Sequence, residues 1–250
     1  MSGPLDGTVV WLTLRQLFVR RRFIAALLFS LLPFALAVIF SLGEKRTDPQ
    51  TARFLFGMYR EFIVGTMLPL AAVVFGTAAF GGEFDEGTIV YLLVKPLSRW
   101  RIVASKYVVA VAATILVMLP AIVLPWLQIG RGILPGKVPL VFAEGIGVGA
   151  VLYCALFLVL GLSSRRALIF GLIYVVALEF VLSRNAAGVK SLSVREFVLT
   201  VVGKLGEGIR SLDPGTVSLE TVWWMGSIIL VGALGLAVRR LGRFELAERL

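Results

Sequence analysis

The sequence predicts an all-α, polytopic integral membrane protein with six transmembrane helices in one domain, residues 1–250, and both termini on the cytosolic side. Three observations carry that fold class. The chain is 58% hydrophobic and only 16% charged, with a mean hydropathy of +0.93, whereas soluble domains are about a quarter charged. Six apolar stretches reach the roughly 20 residues that a bilayer demands. The Lys and Arg residues gather at the ends of those stretches, the pattern that sets membrane topology. The net charge of +10 therefore points to anionic lipid headgroups and not to nucleic acid.

The elements follow in order. Residues 1–22 form a cytosolic lead-in. Within it VVWLTLRQLFVRRR at 9–22 mixes Trp11, Leu14, Leu17 and Phe18 with basic residues, as a helix lying on the inner membrane surface would. Arg20, Arg21 and Arg22 precede an apolar run too long for the core of a cleaved signal peptide. That run, 23–42, reads as the first span, with a kink expected at Pro33. The second and third spans, 62–80 and 107–127, carry Pro69, Pro120 and Pro125 and flank a charged stretch at 81–106. Spans four (140–162) and five (167–183) are joined only by Ser163, Ser164, Arg165 and Arg166, which predicts a tight antiparallel hairpin.

Residues 184–221 form a long outer loop. Val194, Phe197, Val198, Val201, Val202, Leu205 and Ile209 recur at helical spacing, opposite Arg195, Glu196 and Lys204. The expectation is an amphipathic helix that ends near Gly206 and Gly208 and rests on or dips into the outer leaflet, either as a lid that merely covers the bundle or as a gate. The sixth span, 222–238, opens on Trp223 and Trp224, an interfacial aromatic belt. With the N-terminus inside, the inner segments carry fourteen Lys and Arg against six in the short outer loops. That bias places 81–106 in the cytosol.

The stretch EFDEGTIVYLLVKPLSRWRIVASK, residues 83–106, holds seven charges. At about 3 kcal/mol each they exclude this stretch from mid-bilayer. Locally it reads as helix, break, helix. Glu83, Asp85 and Glu86 crowd an expected helix start, where carboxylates favour free N–H groups. Ile89, Leu92 and Leu93 give one apolar edge, and Pro96 stops the first helix. Ser98 is placed to cap the helix that becomes span three.

Glu83, Glu86, Gly87, Thr88, Leu92, Leu93, Pro96, Ser98, Arg99 and Lys106 together resemble the cytosolic loop of type-2 ABC-transporter permeases. That group includes bacterial drug, sodium and copper-related exporter subunits. The likeness extends to the basic lead-in, the six spans, the long outer loop and the tail RRLGRFELAERL. In one departure, Val90 stands where the family often has an acid. The resemblance implies a second permease copy, as homodimer or heterodimer, and two cytosolic ATPase subunits that bind ATP and Mg. The residues expected to meet the ATPase are Glu83, Asp85, Glu86, Gly87, Thr88, Leu92, Leu93, Pro96, Ser98 and Arg99.

Other residues carry weaker signals. Glu144 and Glu179 are the only acids inside spans; each is either a polar transport site or a side chain reaching the outer headgroups. Gly145 and Gly149 have GxxxG spacing, which predicts close helix packing, with a bent transport helix as the alternative. Cys154 reads as a buried small hydrophobe. The chain has no histidine and one cysteine. This removes histidine-dependent proteases, histidine metal sites and internal disulfides. No GxxxxGK[ST] loop occurs, so the chain is expected to have no catalytic site or bound cofactor of its own. Two rivals stay open. A membrane-embedded lipid transferase would need a further acidic cluster. A mechanotransmitter or assembly subunit would use 184–221 to act on an extracytoplasmic partner without moving solute.

Overall fold

The computed structural model describes residues 10–13, 21–43, 47–85, 98–164, 166–177, 193–209 and 215–247; for 21, 22, 82–85 and 243–247 it describes the backbone alone. Among these residues the regular elements are helices. They are α1 (Arg21–Ser30), α2 (Leu32–Ser41), α3 (Asp48–Gly57), a π-helical segment (Met58–Met67), α4 (Leu68–Asp85), α5 (Arg99–Pro125), a second π segment (Trp126–Gly130), α6 (Val138–Ser163), α7 (Ala167–Tyr174), α8 (Val194–Leu205) and α9 (Leu219–Ala247). Five stretches are long and apolar enough to cross a membrane: Phe23–Ser41, Asp48–Gly81, Arg99–Gly130, Val138–Ser163 and Leu219–Gly242. The expected fifth span is described only as the short apolar helix Ala167–Ala177, and the rest of it, with Glu179, lies outside the described residues.

The first span breaks where proline requires it. Pro33 has no N–H to donate and its ring crowds the preceding turn. Leu31 therefore forms a one-residue turn between α1 and α2, its N–H bonding Leu28 O at 3.2 Å. In the second span the helix starts fourteen residues earlier than hydropathy suggests, at Asp48 rather than 62. The sequence Thr-Asp-Pro-Gln is the reason. Thr47 and Gln50 form a reciprocal capping box, with Gln50 Oε1 accepting from Thr47 N at 3.2 Å, and Pro49 supplies a pre-set first turn. From there Asp48–Gly81 is a single helical path of 34 residues, about 51 Å at 1.5 Å per residue. That exceeds the roughly 30 Å hydrocarbon core, so the helix projects from it. Two of the π segments lie next to prolines, Met58–Met67 ending two residues before Pro69 and Trp126–Gly130 following Pro125, where a missing donor lets the ladder widen; a third, at 175–177, has no proline beside it.

α4 and α6 form the centre of the bundle. In the span windows of their helical paths 72% and 67% of residues are buried, against 17% for α1–α2 and 22% for α9. Small residues let the two helices approach: a Cβ on Gly161 would lie 2.9 Å from the Thr77 carbonyl oxygen. Tyr59 Oη donates to Ile122 O at 2.8 Å and Tyr107 Oη to Val151 O at 2.8 Å, pinning α5 to its neighbours. α6 and α7 fold back as the predicted hairpin, with the Phe157 and Tyr174 rings edge-to-face at 5.7 Å.

α8 departs most from expectation. It ends at Leu205 with Gly206 as cap residue, as read from the sequence, but it does not lie on a membrane surface. Every residue from Val194 to Gly203 is buried. The helix is seated on α6, where Gly145 and Gly149 leave a trough that Val198 and Val202 fill. This settles those two glycines as a packing surface, while Gly147 faces open space. The polar face finds protein partners in place of headgroups. Arg195 Nη2 meets Glu61 Oε1 at 2.7 Å, and Glu196 Oε2 accepts from Thr216 Oγ1 at 3.1 Å. Ser193 caps the helix by accepting from Glu196 N. α9 is also longer than the predicted span and carries the basic tail as helix through Ala247.

Candidate functional site

The charged elbow is built by the end of α4 and the start of α5. α4 runs through Gly81 and Gly82 to Asp85, although each glycine costs a helix about 1 kcal/mol relative to alanine. Glu83 and Asp85 thus lie on the helix that starts at Leu68 and not in the first turn of a new one, which corrects the sequence reading. Glu86, Gly87, Thr88, Leu92, Leu93 and Pro96 lie outside the described residues, together with Val90.

On the other side, Ser98 is the residue that precedes α5, with φ −64° and ψ 131°. Its hydroxyl makes no cap hydrogen bond; its carbonyl instead accepts from Arg101 N at 2.9 Å. Ser98 starts the helix as expected, but through its backbone. Arg99, the first helical residue, lies against Gly242 of α9, where an added Cβ would be 3.0 Å from Nη1. A Cβ at 242 would push the end of the Arg99 side chain aside by a few tenths of an ångström. The contact couples the elbow to the last span near its far end.

Lys106, two turns into α5, is completely buried. Its Nζ donates to Ala79 O at 2.6 Å and stands 4.7 Å above the Phe80 ring. A charged donor to a carbonyl makes a strong bond, and the aromatic face adds to it. In a regular helix Ala79 O is also the acceptor for residue 83 N–H. The ammonium therefore anchors α5 to α4 one turn before Glu83. The sequence resemblance named Lys106 without giving it a role; the legible signal was a cation on the inward side of a span, where a lone charge demands partners.

At the opposite end of the bundle, Glu144 is exposed on α6 and lines a groove of about 450 Å³ against α9, with Trp223 beside it. It makes no hydrogen bond or ion pair with the described residues. A second groove, about 390 Å³ and wholly apolar in its lining, runs between α1, α4 and α7. Cys154 is buried as expected, its Sγ 3.3 Å from Thr114 Oγ1. The Glu61–Arg195 pair escaped sequence reasoning, because its members are 134 positions apart. Among the described residues no three acids or thiols converge on a metal-sized site.

Comparison with known proteins adds one finding. Residues 16–188 match the family described as ABC-2 family transporter protein. The match spans more than half of the chain and includes the whole elbow and the α6–α7 hairpin, while α8 and α9 fall beyond it. No curated protein matches the sequence.

Proposed function

Because the chain belongs to the ABC-2 transporter family as a membrane permease subunit, we propose that it is the membrane half of an ATP-driven exporter whose motor docks on the elbow, residues 83–99. The elbow faces the cytosol and both termini lie there. Two copies of an ATPase subunit, which hold the ATP and Mg, associate with this chain and a second permease copy. The residues that meet the motor are Glu83, Asp85, Glu86, Gly87, Thr88, Leu92, Leu93, Pro96, Ser98 and Arg99.

The observation that carries this reading is the anchoring of the elbow's two stems. A push on a loop moves a membrane span only if the push is not absorbed locally. Here Lys106 ties α5 to α4 through Ala79 O, and Arg99 rests on α9 at Gly242. A displacement of the elbow is thus handed to three helices together, and α4 is the central one. Closure of the ATPase pair pushes the elbow and reorients a passage between the two permeases.

The buried setting of α8 supports solute transport over force transmission to an outer partner. A contact surface for such a partner needs exposed side chains, and among the described residues of 184–221 those from Val194 to Gly203 are buried in the bundle. The test is charge reversal at Glu83→Lys with Glu86→Lys. Membrane insertion should persist, while co-purification of the ATPase subunit and ATP-dependent transport should both be lost. Normal transport with the ATPase still bound would remove the elbow from the mechanism.

A further inference from the structure

Glu144 is the one formal charge among the residues lining the groove between α6 and α9, and no lysine or arginine lines it. This matters because α6 and α9 are read above as membrane spans, a reading on which the inference rests. A carboxylate on the membrane-facing side of a span requires a cation, and the groove supplies none.

The rest of the groove has the shape of an answer. Both helices run from the α8 end of the bundle toward the elbow, since α9 starts beside α8 and reaches Arg99 at Gly242. Glu144 and Trp223 therefore lie at the groove's outer mouth, and Leu152 and Ser227 lie deeper. Trp223 is largely exposed, so its ring face is open to a cation. Two glycines make the room. Gly147 has nothing within 4 Å of an added Cβ, and Gly226 approaches only Leu152, at 3.7 Å. A charged mouth with an aromatic face, opening into an apolar channel, matches a molecule with a cationic head and a hydrocarbon tail.

We propose that the α6–α9 groove binds an amphiphile with an ammonium headgroup, held by Glu144 and Trp223, with its tail lying over Gly147 and Gly226. Charge complementarity selects this occupant: a neutral or anionic amphiphile leaves Glu144 unpaired, and an anionic one repels it.

The test uses the full chain in dodecyl maltoside micelles and radiolabelled hexadecyltrimethylammonium, with binding counted above that of empty micelles. Saturable binding is expected, competed by unlabelled probe and not by hexadecyl maltoside. Glu144→Gln should weaken it at least tenfold, and Gly147→Leu should abolish it by filling the channel. Both positions are on the surface, so size-exclusion profiles should match wild type, and ATPase co-purification should be unchanged. Three results would overturn the proposal: no saturable binding, wild-type affinity in both variants, or a spontaneous disulfide between two Ser227→Cys chains in native membranes. The last would place a second copy of the chain in the groove. None of the three bears on docking of the motor at the elbow, which is read separately by co-purification.

Discussion

Docking of α8 on α6 can be tested by adding one methyl group. In Gly149→Ala the new Cβ would lie 2.6 Å from Leu68 Cδ2 and 2.7 Å from Val198 Cγ2, against an ordinary carbon–carbon contact of about 3.5–4.0 Å. The end of Leu68 can swing aside, but Val198 is β-branched and stiff. α8 must then move outward by something on the order of 1 Å, given that contact distance. Overpacking of this kind costs about 1–3 kcal/mol, which raises the population of undocked α8 by about 5- to 150-fold. The readout is a cysteine at Val202, which is fully buried with its side chain against Gly145 of α6; Val202→Cys keeps a small apolar side chain there. Its labelling by a membrane-impermeant maleimide should be slow in the parent and at least fivefold faster with Gly149→Ala. Gly147→Ala is the control, since its Cβ meets nothing within 4 Å, and it should leave the rate unchanged. If Val202→Cys labels rapidly in the parent, or if neither glycine variant changes a slow rate, α8 does not rest on the glycine trough.

Three further outcomes follow from the same geometry. Glu61→Gln should destabilise the fold by about 1–3 kcal/mol, read by thermal unfolding in detergent, because it strips the partner from buried Arg195; the half-exposed Glu61 keeps the effect below that of a fully buried pair. The double variant Glu61→Gln with Arg195→Leu should recover part of that loss in a double-mutant cycle. Lys106→Met should lower thermal stability by about 1.5–3 kcal/mol through loss of the charged donor to Ala79 O, and should uncouple ATP hydrolysis from transport while the ATPase still co-purifies. Thr47→Val should cost about 1 kcal/mol by removing the capping box, seen as faster hydrogen exchange confined to residues 47–51.

The fold was legible where one residue type dictates geometry. Pro33 broke the first span, the four-residue link at 163–166 forced a hairpin, and Gly145 and Gly149 marked a packing face. It was less legible where hydropathy had to stand in for environment. A transfer scale cannot tell burial in lipid from burial in protein, so the stripe on α8 predicted a surface helix although the trough on α6 receives it. The start of α3 was hidden because the Thr-Asp-Pro-Gln box lies in a polar stretch that a span-length window ignores. The acids at 83, 85 and 86 suggested a new helix start, yet α4 runs on through Gly81 and Gly82 to Asp85. Of the elbow, the sequence placed Ser98 and Arg99 correctly at a helix start. The roles of Lys106 and Gly242 depend on contacts between elements far apart in the chain, which no local pattern reports.

The most direct measurement concerns Ser98. A Ser98→Cys variant offers an exposed thiol at the elbow, and the native Cys154 is fully buried, which keeps background low. With a membrane-impermeant maleimide, labelling should occur in inside-out vesicles only, and bound ATPase subunit should suppress it. Labelling of intact cells from the outside, or labelling indifferent to the ATPase, would contradict a motor seated on this elbow.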